Sequence, residues 1–113
     1  MADHIKTRKA PGTWVVRAGG AVQIETRNAI ELTESGHAPL IYFPRDDLAM
    51  ALLEKSAKTT HCPHKGDATY YTIEAKSGPI ADAAWSYEKP KAGIEAIARH
   101  LAFHTDRVTV EEL

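Results

Sequence analysis

Short β-prone runs broken by Gly- and Pro-bearing turns restrict this chain to an antiparallel fold. Trp14-Val15-Val16 runs into Ala18-Gly19-Gly20, after which Val22 and Ile24 alternate with Gln23 and Glu25. Two such runs around a Gly-Gly pair read as a hairpin. Residues 69–74 and 80–87 flank Lys76-Ser77-Gly78-Pro79 and read as a second. Residues 101–104 and 107–111 flank Thr105-Asp106 and predict a third, with Val108 and Val110 alternating with polar neighbours. Residues 28–32 add a short strand, and Leu40-Ile41-Tyr42-Phe43 a buried strand stopped by Pro44. A parallel βαβ pattern and a Gly-rich phosphate loop are both absent from the sequence.

Two segments read as short helices. Asp46-Asp47 supplies an acidic first turn, Leu48, Ala51 and Leu52 share a face, and Lys55 closes a helix over about 46–56. Ile94, Ile97 and Leu101 have helical spacing and predict a second helix over 91–100, although Ala92-Gly93 is a poor cap. The expected architecture is mainly β, with α+β as the alternative: a small antiparallel domain of three hairpins with one or two short helices. Residues 1–12 end in Ala10-Pro11-Gly12 and read as a flexible lead-in, with Lys6, Arg8 and Lys9 as a solvated basic cluster; 13–113 read as one globular domain.

Composition limits the function classes. Of the apolar residues 18 are Ala, and Leu, Ile, Val and Phe together number only 22, so large core residues are scarce. A net charge of −1 keeps this from the highly charged composition of disordered chains, and it removes the electrostatic case for nucleic acid. A single cysteine excludes an intramolecular disulfide and fits a reducing compartment. Neither a signal-like apolar run nor a membrane-length stretch is present in the sequence, so the expectation is a cytoplasmic protein without membrane partners.

Chemistry concentrates in Thr59-Thr60-His61-Cys62-Pro63-His64-Lys65-Gly66-Asp67. Three readings compete there. Metal binding would use His61, Cys62 and His64 with distant His100 or His104, but the spacing is unlike that of structural zinc sites and there is no second cysteine pair, so no metal and no cofactor are expected. Cysteine catalysis would use Cys62, with His64 or His61 as base and Asp67 as an orienting carboxylate, Lys65 helping to lower the thiol pKa. Anion recognition would use backbone N–H groups around Lys65 and Gly66, with Arg27 as a bidentate fork and Tyr42, Tyr70, Trp85 and Tyr87 as an aromatic wall.

Several blocks, in order, resemble one family. They are Glu25-Thr26-Arg27-Asn28-Ala29; Tyr42-Phe43-Pro44 with Asp47; Thr60 with Cys62-Pro63-His64-Lys65-Gly66; Ala68 and Tyr70-Tyr71; Ala84-Trp85-Ser86-Tyr87 with Pro90; and Ala102-Phe103. From about Trp14 to Val110 the chain resembles the family called domain of unknown function 427, also labelled nucleotidyltransferase-like. The resemblance implies a β-tent-like fold, in which two small antiparallel sheets meet at one end. Relatives of that fold that hold zinc use two cysteine pairs, which this chain lacks. The clustered carboxylates of nucleotidyltransferases are also missing, so the label implies no such reaction here. The family pattern often has an aromatic residue where His64 and His104 stand.

The leading expectation is a domain that binds a small anionic molecule beside the Cys62–Gly66 segment. Arg27, Lys65 and Gly66 would meet the anion, Tyr42, Trp85 and Tyr87 would wall an apolar or aromatic part, and Cys62 would floor the pocket. One alternative is a non-catalytic interaction module whose exposed strand edges receive a protein partner, which also admits a homodimer. The other is a cysteine-dependent hydrolase or transferase built on Cys62 and His64.

Overall fold

A computed structural model of the chain describes residues 4–18, 21–48 and 50–113. These residues form ten strands: β1 (Ile5–Lys9), β2 (Trp14–Ala18), β3 (Ala21–Thr26), β4 (Ile30–Glu34), β5 (Leu40–Tyr42), β6 (Leu53–Cys62), β7 (Gly66–Ala75), β8 (Gly78–Tyr87), β9 (Leu101–Phe103) and β10 (Thr109–Glu112). All pairings are antiparallel. The sheets run β1-β4-β5, β10-β2-β3 and β6-β7-β8-β9. The chain is therefore mainly β, as its alternating runs and turns require.

The four-stranded sheet divides the interior. Side chains alternate between its faces. Tyr71, Ile73, Ala84, Leu101 and Phe103 pack with Val16 and Ile24 of the β10-β2-β3 sheet. Ala68, Tyr87 and Ala102 pack with Ile5, Leu32 and Tyr42 of the β1-β4-β5 sheet. Two backbone hydrogen bonds tie β5 to β9, from Phe43 N to Leu101 O at 2.7 Å and from Leu101 N to Phe43 O at 2.9 Å. Sheet β1-β4-β5 thus meets the four-stranded sheet at one bridge between their edge strands.

The hairpins β2–β3 and β7–β8 form where the sequence places them. The Gly19-Gly20 pair lies outside the described residues. Elsewhere the structure corrects the reading. Segment 46–56 is not a helix: Arg45–Asp47 and Met50–Leu52 are single 3-10 turns, and β6 starts at Leu53. Leu53 pairs with Ile73 and is buried there, so sheet pairing overrides the local helical spacing. Asp47 does not cap a long helix; its Oδ2 accepts a 2.6 Å hydrogen bond from the buried Thr26 hydroxyl.

Segment 91–100 holds only a 3-10 turn, Glu95–Ile97. Positive φ at Gly93 and Arg99 breaks a helix at both ends, and the i, i+3 spacing buries Ile94 and Ile97 equally well in the tighter turn. The third hairpin is also absent, because β9 joins β8 while β10 joins β2 in a different sheet. Val110 pairs with Val16, and Arg17 bonds Glu111 across the strands. A turn signal alone cannot reveal that the chain changes sheets. A β6–β7 hairpin replaces it, closed at Cys62 and Gly66. Within the segment read as a lead-in, Ile5–Lys9 forms β1 against β4, Ile5 is buried, and Arg8 Nε bonds Glu31 at 2.7 Å.

Phe43 has no exposed surface and meets Phe103 edge to face, centroids 5.7 Å apart. Phe43→Ala is expected to cost about 3–5 kcal/mol. Urea unfolding followed by circular dichroism measures it, and a loss under 1 kcal/mol would mean the seam between the sheets does not depend on this ring.

Candidate functional site

The Cys62–Gly66 segment is a tight hairpin end, in which Lys65 N donates to Cys62 O and Cys62 pairs with Gly66. Gly66 has φ +115°, and a side chain there would meet Lys89 O at 3.3 Å. Lys91 N also donates to Lys65 O at 3.0 Å. Glycine is required by the turn and by the close approach of the 89–91 segment.

Alternation sorts the reactive groups. His61 points away from the Cys62 face, its Nδ1 2.7 Å from Asp67 Oδ1 across the hairpin, and both side chains are well exposed. Asp67 is therefore engaged with His61 rather than orienting a base for Cys62. His64 meets His4 edge to face at 4.7 Å. Among the described residues, no hydrogen bond joins the Cys62 thiol to a histidine, and no three His, Cys, Asp or Glu side chains converge as a metal-holding set.

Lys65 turns inward. It is buried, its Nζ lies 3.4 Å from Glu34 Oε1, and it sits 6.0 Å from the centre of the Tyr87 ring. Burial opposes the charge on Glu34, but the Lys65 ammonium, aided by His37 and His4, holds the carboxyl below its ordinary value of 4.5. The lysine charge is met internally.

Above this pair lies the aromatic face. Tyr42 is fully buried and accepts a 3.3 Å hydrogen bond from Trp85 Nε1. Burial pushes its phenol up to about 12, against that bond. Burial raises Tyr87 as well, and the neighbouring Tyr42 adds to the effect. Both phenols stay neutral. Cys62, Tyr70 and Trp85 pack on the same cluster and remain half-buried. The structure therefore gathers Tyr42, Cys62, Lys65, Trp85 and Tyr87 at one end of the four-stranded sheet, with Gly66 in the turn below.

Arg27 does not join them. It is exposed beside Lys9, Pro11, Gly12 and Thr13, next to the Lys9–Ile30 end of the β1–β4 ladder, while Lys65 meets Glu34 at the other end. Four residue steps along a strand separate these ends by about 13 Å.

Three further participants join the site: Lys58 and Arg45 escaped the sequence reading, and His104 entered it only as a distant metal-ligand candidate and as a departure from the family pattern. Lys58 places its Nζ 4.7 Å from the centre of the Tyr70 ring. His104 lies between two rings, 4.6 Å from Trp85 and 6.2 Å from Tyr70, nearly parallel to the latter. It occupies an aromatic slot, which suits a position where the resembling family often has an aromatic side chain. Arg45 is the third. Its guanidinium donates to Arg99 O, Tyr71 Oη, Ser86 Oγ and Glu88 Oε2, holding the β5 exit against β7 and β8. Its only sequence signal is its place inside the Tyr42-Phe43-Pro44 to Asp47 block.

Residues 6–112 match the family model NTP_transf_9, described as a domain of unknown function (DUF427). The chain belongs to this family. No curated protein matches it. Within this DUF427 domain, the Cys62–Gly66 and Trp85–Tyr87 blocks meet at the face described above.

Two outcomes follow. Lys65→Ala strands Glu34 in a half-buried place and is expected to cost about 1–3 kcal/mol in urea unfolding; an unchanged midpoint would show that the pair adds no stability. Burial lowers the His104 pKa below the ordinary 6.5. The folded state then binds fewer protons than the unfolded chain, so stability is full above 6.5 and is lost as pH falls toward the folded value. His104→Phe should flatten the decline of Tm just below pH 6.5, while the Glu34 contribution, lost only below 4.5, should persist. An unaltered profile would exclude His104 as its source.

Proposed function

We propose that this domain binds a small anionic molecule bearing a planar ring, on the face formed by Tyr70, Trp85 and His104. The observation that carries the reading is the half-buried stack of these rings with the Lys58 ammonium 4.7 Å over Tyr70. Half-buried rings offer a stacking surface whose water is readily displaced. Lys58 supplies the cation, because Lys65 is already paired with Glu34. Tyr42 and Cys62 form the deeper part of the face, where a buried phenol and a half-buried sulfur accept a ring better than a charge. Arg27 serves no role in this reading.

An interaction module is the second reading, supported by β6, a ten-residue edge strand that is mostly exposed. Against it stand Lys55 and Lys58 and the irregular pairing between Lys55 and Thr59, features that protect an edge from further pairing.

Calorimetric titration with benzoate, phenyl phosphate and benzamide tests the first reading. The two anions should bind more tightly than the amide. Lys58→Ala should weaken them by about 1 kcal/mol, the scale of an exposed charge contact. Trp85→Ala should weaken all three by about 1–3 kcal/mol through lost stacking. Equal binding of amide and anions, or a preference that survives Lys58→Ala, would exclude the anion site. Native mass spectrometry showing a dimer broken by a proline in β6 would favour the second reading.

A further inference from the structure

We propose that the cleft at the junction of the three sheets is a second binding site, which takes an apolar ring carrying a primary ammonium group. The cleft has a volume of about 300 Å³. Trp14 of β2, Ile41 of β5, Phe103 of β9 and Val110 of β10 contribute its main apolar walls. One sheet supplies each side: β10-β2-β3 gives Trp14 and Val110, β1-β4-β5 gives Ile41, and the four-stranded sheet gives Phe103. This size and lining are typical of the lower end of small-molecule sites.

The walls are incompletely covered. Trp14, Leu40, Ile41 and Val110 all remain half-buried although each packs against a core. Trp14 is fixed in place by a 3.1 Å hydrogen bond from its Nε1 to Pro11 O, so the ring is a formed wall. Leu40, Ile41 and Val110 thus leave apolar surface in water at the cleft, which a ligand would cover favourably.

Charge selects the ligand. Glu31 is the one charged side chain among the residues that line the cleft, and Thr105 adds a hydroxyl. Arg8 Nε bonds Glu31 Oε1 at 2.7 Å, but the two side chains differ sharply in exposure, 67% for Arg8 and 18% for Glu31. The arginine charge is largely hydrated, while the carboxylate lies at the cleft. Its Oε2 has no partner among the described hydrogen bonds and can accept from an ammonium group. An anion entering the same cleft would face this carboxylate with no lining cation to offset it. The site therefore has the opposite charge preference to the Tyr70–Trp85–His104 face and stands independently of that reading.

The two tryptophans report the two sites separately, since Trp14 lines the cleft and Trp85 the aromatic face. The test titrates the full-length ¹⁵N-labelled protein with 2-phenylethylamine, 2-phenylethanol and 3-phenylpropionate, following both indole N–H signals, assigned with Trp14→Phe. The amine should shift the Trp14 signal and bind about fivefold more tightly than the alcohol, the scale of a partly hydrated charge pair. The carboxylate should bind more weakly than either. Glu31→Gln should remove the difference between amine and alcohol while the alcohol still binds. Val110→Phe should fill the cleft and abolish the Trp14 shifts; if that protein does not fold, Ile41→Phe serves the same purpose. No Trp14 shift with any compound, equal affinities for amine and alcohol, or an amine preference that persists in Glu31→Gln would each overturn the proposal. Shifts confined to Trp85 would do so too, and would leave the anion reading untouched.

Discussion

The reciprocal pair of hydrogen bonds between Phe43 and Leu101 is the contact on which the rest of the structure depends. Strands β5 and β9 have only three residues each, too few to hold two sheets together by ladders of their own. Their single bridge joins the edges and commits neighbouring residues to opposite interiors. Tyr42 enters the cluster with Ile5 and Leu32; Phe43 enters the cluster with Val16 and Ile24. One residue of slippage would exchange these destinations and place a phenol where an apolar ring is needed. Arg45 resists such slippage. It lies just after the bridge and bonds Tyr71, Ser86, Glu88 and the Arg99 carbonyl, so the chain leaving β5 is fixed to β7, β8 and the segment entering β9. Arg99 adopts φ +64° within this clamp, a conformation unfavourable for a residue with a Cβ, and its own N–H donates to Tyr87 O.

Local pattern made some of this legible. Alternation and Gly-bearing turns identify β2–β3 and β7–β8 because hairpins are local structures. Tyr42, Cys62, Trp85 and Tyr87 could be grouped in advance by their chemistry, and they do meet, Tyr42 and Tyr87 buried and Cys62 and Trp85 half-buried. The rest depends on distant pairing. Leu48, Ala51 and Leu52 carry a helical spacing that Leu53 breaks by pairing with Ile73, twenty residues on. Val110 joins Val16 from the other end of the chain, which no turn signal at Thr105-Asp106 could disclose. The same distance hid the partner of Lys65. A lysine beside a glycine reads as an exposed anion contact until β4 delivers Glu34 beneath it.

That pairing alters how the Cys62–Gly66 motif should be understood. Its density of reactive side chains invites a catalytic reading, but each group has a separate structural destination. His61 goes to Asp67, His64 to His4, Lys65 to Glu34, and Gly66 permits the contact with Lys89. Tight turns place adjacent side chains on different sides of the sheet, so proximity in sequence disperses them. Cys62 continues onto the aromatic face, where it packs with Tyr70 and Trp85. The turn fastens β4, β6 and the 89–91 segment to one another, and chemistry is left to the residues that alternation brings to the same side from β6, β7, β8 and the exit of β9.

The alanine-rich composition finds its reason on that sheet. Across the strands Ala68 pairs with Tyr87, Ala84 with both Tyr71 and Phe103, and Ala102 with Trp85. These three alanines are almost completely buried. Each sets only a methyl group opposite a ring, which leaves the ring room within a densely packed layer. A larger residue at any of these positions would overpack the interior. In this sheet the scarcity of Leu, Ile and Val is therefore compensated by a few large aromatic side chains, of which Tyr71, Trp85, Tyr87 and Phe103 each pair with an alanine. The same device leaves Trp85 half-buried: Ala102 lies beside it in the short β9, which ends at Phe103, and the chain turns away with His104 N bonded to Ala83 O, so that the indole meets the Tyr42 hydroxyl and the His104 imidazole. A pattern that looks like a weak core in composition is what opens the aromatic face.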